Sequence, residues 1–93
     1  MNKKCAILRK VNFTNDENEL KDLEKLLILY CFKKLKISNY EVFFEKKELE
    51  NKILTDEYTD LLIYDRKQFN INVQGLNIHY YKENRINWNK RRL

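Results

Sequence analysis

Residues 14–36, TNDENELKDLEKLLILYCFKKLK, are the one long stretch where period, start signal and charge gradient specify the same structure. Thr14 and Glu17 have capping-box spacing: the Thr hydroxyl can take the Glu17 N–H while the carboxylate reaches back to the Thr14 N–H. Asp16, Glu17, Glu19, Asp22 and Glu24 occupy the first half, and Lys33, Lys34 and Lys36 the end, which complements the helix macrodipole. No Pro or Gly interrupts the run, so it reads as a helix. At about 100° per residue, Leu20, Leu23, Leu27, Tyr30 and Cys31 form one apolar stripe, with Leu35 at its edge. Leu26, Ile28, Leu29 and Phe32 fall outside that stripe. Burying a Leu or Phe is worth about 1.5–3 kcal/mol, so leaving several in water is wasteful. Leu26, Leu29 and Phe32 are therefore candidates for a protein interface. Two covers stay open: the C-terminal tail of the same chain, through Ile86 and Trp88, or a partner or symmetric copy.

Working outward, residues 3–13 read as a first strand with Ala6, Leu8 and Val11 turned inward. Beyond the helix, YEVFFE (40–45) alternates Tyr40, Val42 and Phe44 with Glu41, Phe43 and Glu45, the period of a half-buried strand. Residues 46–58 suit a short helix through Leu49 and Ile53, and DLLIYD (60–65) is a compact apolar run expected to be an interior strand. Residues 69–81 read as a hairpin about Gln74-Gly75, in which Val73 faces Leu76, Ile71 faces Ile78 and Phe69 faces Tyr80. The polar pairs Asn72–Asn77 and Asn70–His79 then take the other side. The tail from 83 onward alternates Ile86 and Trp88 with polar residues. The expected fold is α+β: one domain over residues 1–93, with 89–93 a frayed basic tail. In it a mostly antiparallel sheet packs on one long helix, in the order β-α-β-(α)-β-β-β.

Ninety-three residues allow one modest core, and the high aromatic content argues against disorder. The longest apolar run, 26–32, is far too short to span a bilayer, and 5–8 is too short for a signal-peptide core, so no membrane role is expected. Cys5 and Cys31 make neither a disulfide framework nor a zinc spacing, and both read as small buried hydrophobes in an intracellular protein. The preference for Lys, Asn and Ile is that of an AT-rich genome, which explains part of the Lys excess without any functional appeal.

The net charge of +5 is distributed in blocks. Residues 37–65 are acidic, whereas 66–93 carry seven cations against Glu83. That basic third offers Lys67, Lys82, Arg85, Lys90, Arg91 and Arg92 to phosphates, and Asn70, Asn72, His79 and Tyr81 to exposed bases, a candidate RNA or single-strand surface. The acidic block can equally face a basic partner, and two faces of opposite charge permit head-to-tail self-association, with a symmetric homodimer as the other form of self-association open to the chain.

Catalytic sets are incomplete. Asp60 could begin the strand of a metal-dependent nuclease of the restriction-endonuclease type. The following strand, however, offers Gln74-Gly75-Leu76 where Glu-x-Lys is needed to bind the ion and activate water. Lys67, His79, Tyr81 and Arg85 are the residue types a small basic ribonuclease toxin would use. Neither a Ser/His/Asp nor a Cys/His arrangement is spelled out, and no Gly loop cradles a phosphate. The expectation is thus a non-enzymatic regulator or inhibitor without cofactor or metal, acting on a protein or ribonucleoprotein, for instance a mobile-element anti-defence factor. Nucleic-acid binding is the alternative, and a small ribonuclease the next.

Overall fold

A computed structural model describes residues 2–55, 57–64 and 73–81. Its elements are β1 (Cys5–Leu8), α1 (Glu17–Lys33), β2 (Tyr40–Phe43), α2 (Lys46–Thr55), β3 (Asp60–Ile63) and β4 (Asn77–Tyr80). The four strands form one sheet in the order β2-β1-β3-β4. The α+β class is as expected, but every pairing is parallel: β1 with β2, β1 with β3, and β3 with β4. This corrects the expectation of a mostly antiparallel sheet, whereas the long helix and the short second helix are both present as expected. The physical cause is the crossovers. A 17-residue helix spans about 25 Å and carries the chain from the end of β1 back to the edge of the sheet where β1 began, so the next strand enters in the same direction.

The two helices cover opposite faces. Leu23, Leu27 and Cys31 of α1 pack on Cys5, Ile7 and Leu62. Leu49 and Ile53 of α2 pack on Ala6, Leu8, Leu61 and Ile63. Consecutive residues of β1 and β3 thus point into different halves of the core, and all eight are buried. That explains why CAIL and DLLI are continuous apolar runs and not alternating ones. The connections from β1 to β2 and from β2 over to β3 run in opposite directions across the sheet, so crossovers of one and the same hand, as the right-handed rule requires, place α1 and α2 on opposite sides.

Local details differ from the sequence expectation in four places. α1 begins at Glu17 with Asp16 as its N-cap, whose carboxylate accepts from Asn18 N–H at 2.9 Å. Thr14 instead accepts from Asp16 N–H at 3.0 Å, one step earlier. A charged cap meets the positive helix end better than a hydroxyl, so Asp16 takes the role given to Thr14. Ile28 packs against the α1-side core and so leaves the outer group. β2 ends at Phe43, which is buried on the α2 side, while Phe44 is exposed beyond it. With both faces of the sheet covered, one-sided alternation no longer applies.

The fourth concerns the turn at 73–76. Leu76 N–H donates to Val73 O at 3.2 Å and Gly75 has φ +86°, as the single glycine suggested. Gln74 is not in the left-handed region, so the turn has the type II signature. Type II turns splay strands, whereas hairpins favour turns with positive φ at the first central residue. The other arm of the expected hairpin, 69–72, lies outside the described residues, as do Ile86 and Trp88. β4 itself keeps the expected alternation: Ile78 and Tyr80 pack on the α2 side. Among the described residues no helix is long and apolar enough to cross a membrane.

Core and surface leucines should respond very differently. Leu27→Ala should cost about 2–5 kcal/mol, because Leu27 is fully buried between α1 and the sheet. Leu54→Ala should stay within about 0.5 kcal/mol, since Leu54 is 74% exposed. Urea denaturation of the two variants checks both.

Candidate functional site

The outer side of α1 holds the sequence-predicted interface residues together. Leu26, Leu29 and Phe32 are 41%, 47% and 42% exposed, although their helix is anchored by a fully formed stripe on the other side. Phe32 stands edge-on to Tyr40, with ring centroids 5.5 Å apart, which fixes its ring at one end of the strip. An open apolar depression of about 460 Å³, bounded by Phe32, Lys36, Ile37 and Ser38, continues the strip past the helix end. There Lys36 adopts φ 59°, and Ile37 N–H donates to Cys31 O while the Cys31 thiol donates to Ile37 O at 3.3 Å. This closure turns the chain without a glycine.

In open parallel sheets, ligands favour the crevice at the C-terminal strand ends where successive connections diverge, here beside β1 and β3. That edge is already filled. Arg9 pairs with Glu17 at 2.8 Å and Glu24 at 3.5 Å and lies 4.3 Å from the centroid of Phe44; Lys10 pairs with Glu45 at 2.8 Å. The adjoining cavity is only about 160 Å³. Across β3 the aromatics close up, Phe13 against Tyr64 at 5.4 Å and Tyr64 stacked on Tyr81 at 5.9 Å. Tyr81, expected on an open base-binding face, is thus half-buried against Tyr64 and Tyr30. Two carboxylates around Arg9 leave little net positive field for a phosphate.

His79 is likewise not a freely solvated ring. Its Nε2–H donates to Asp60 Oδ2 at 2.8 Å, and Asp60 is only 3% exposed. The Thr59 hydroxyl accepts from Lys4 N–H at 2.9 Å and donates to Asp60 Oδ1 at 2.6 Å, so both carboxylate oxygens are occupied. This pairing links strands 19 residues apart, and no local pattern signals it. The remaining nucleic-acid candidates, Lys67, Asn70, Asn72, Lys82, Arg85, Lys90, Arg91 and Arg92, lie outside the described residues.

A His–Asp pair invites a search for a nucleophile. Cys5 and Cys31 are in the same half of the core, both fully buried. Burial first, then the neighbouring Cys31 and the Asp60 charge, pushes the Cys5 thiol far above its ordinary range; burial also raises Cys31. A thiol kept protonated and out of water is inert, since the thiolate is the nucleophile. Among the described residues no group of three His, Cys, Asp or Glu side chains could hold a metal ion.

Fold and site together define a small sheet domain with helices on both faces and an apolar strip on the outside of α1. Comparison with protein-family models, curated proteins and solved structures gave no match to this chain.

Three outcomes follow from the interior. His79→Ala should destabilise the fold by about 1–3 kcal/mol, because it leaves a buried carboxylate oxygen without its donor; thermal melting measures this. Both thiols should resist iodoacetamide in the folded protein near pH 8 and react promptly in denaturant. As pH rises past about 9, the unfolded chain loses its thiol protons before the folded one does, so the thiols' contribution to stability should fall.

Proposed function

We propose that this chain is a non-enzymatic binding protein, a small regulator or inhibitor that contacts a protein or a ribonucleoprotein through the outer face of α1. One observation carries the reading: Leu26, Leu29 and Phe32 stay in water on a helix whose core is already satisfied by Leu23, Leu27 and Cys31. Three large apolar side chains within two turns form a strip of the kind that marks interaction sites, and single scattered ones do not. Phe32 is held in place by Tyr40 before any partner arrives, which lowers the ordering cost of binding. The chemistry elsewhere supports a binding role over a catalytic one, since the thiols are inert and the His79 ring is committed to Asp60.

The test is retention of a protein partner by immobilised wild type and by Leu29→Glu. Leu29→Glu should weaken retention by about 30-fold or more, the scale of a central hot spot, with thermal melting unchanged because residue 29 faces water. Equal retention by both would remove α1 from the interface. Hydrolysis of RNA or DNA that vanishes in the His79→Ala, Arg85→Ala double variant would overturn the non-enzymatic reading.

A further inference from the structure

We propose that the outer face of α1 pairs with the same face of a second copy of this chain, the two helices running antiparallel about a two-fold axis between Leu26 and Leu29. The inference rests on α1 as the contact surface and names its occupant.

The argument is one of register. Glu19, Asp22, Leu26, Leu29 and Lys33 share one side of α1, about 120° from the core stripe of Leu23, Leu27 and Cys31 at ~100° per residue, and all five are exposed. Lys36 follows just past the helix end and is exposed as well. In an antiparallel pair, the residue numbers that face one another add to a constant. Setting Leu26 of one copy against Leu29 of the other places Asp22 opposite Lys33 and Glu19 opposite Lys36, and the two-fold repeats both pairs at the other end. Asp22 and Lys33 then lie about 8 Å on either side of the centre, at 1.5 Å rise per residue. A parallel pair in register instead sets Asp22 against Asp22 and Lys33 against Lys33. A two-fold needs a self-complementary patch, and this face supplies one: an apolar centre, acidic toward its start and basic toward its end. No ion pair between described residues engages Glu19, Asp22, Lys33 or Lys36 within the chain, so these charges remain available to a partner. The same polarity that suits the helix dipole therefore also sets the direction of pairing.

Sedimentation equilibrium over a wide range of protein concentration tests the pairing. Wild type should form a concentration-dependent dimer, and Leu29→Glu should be monomeric with an unchanged melting temperature. Asp22→Lys and Lys33→Asp should each weaken the dimer on the order of tenfold, because each sets like charges face to face at both ends. An equimolar mixture of these two variants should regain wild-type affinity as a heterodimer, and the double variant should regain it as a homodimer. A wild type that stays monomeric up to near-millimolar concentration overturns the proposal. So does a dimer indifferent to Leu29→Glu, or a mixture of the charge variants that stays apart. If wild type is monomeric yet loses a different protein on Leu29→Glu, self-pairing fails while the contact surface stands. If it is monomeric and Leu29→Glu changes nothing, both fail.

Discussion

Burial of β1 and β3 on both faces is the constraint from which the architecture follows. Eight consecutive-in-strand residues, Cys5–Leu8 and Asp60–Ile63, are all withdrawn from water. A sheet whose central strands are apolar on both sides needs cover on both sides, and the described residues hold two helices that supply it. Each helix is also the connection between strands, so the cover and the parallel direction come from the same segments. The edge strand β2 and the half-exposed β4 can then be less apolar, as Glu41, Asn77 and His79 show.

Polar groups inside this core are tolerated only where they are fully partnered. Asp60 opens β3 at the edge of the α1-side core, and its carboxylate is held by the Thr59 hydroxyl and the His79 ring. The nearby Cys5 and Cys31 stay protonated, and so behave as apolar filler. At the opposite end of the strands, Arg9 is divided between Glu17 and Glu24 and covered by Phe44. The C-terminal edge of the strands, where this kind of fold most often places chemistry, is closed by interactions within the chain. The outer side of α1 is different. Among the described residues it has apolar side chains exposed to water and charges without ion partners.

How much of this was legible depends on the range of the interaction. The extent and core stripe of α1, the short helix at Leu49 and Ile53, and the interior character of DLLI all follow from periodicity within one element. So does the left-handed Gly75. The choice of Asp16 over Thr14 as N-cap is local too, but two good capping residues two positions apart compete, and the helix charge decides between them. The turn at Gln74-Gly75 marks a reversal without specifying what it joins, because one glycine serves a type II turn as well as a hairpin. Phe43 and Phe44 are adjacent aromatics whose inward member depends on where the strand stops and on α2 covering the second face.

By itself, then, the chain of residues determined where the helices run, which of their sides are apolar, and that Leu26, Leu29 and Phe32 exceed what one packed layer needs. Those are properties of side-chain spacing, and spacing is written in the sequence. Tertiary structure alone decided that the strands are parallel, that β1 lies between β2 and β3, and that His79 meets Asp60. Each of these joins residues far apart in the chain through the crossovers, and while the continuous apolar runs CAIL and DLLI mark strands buried on both faces, they do not say which neighbours those strands take.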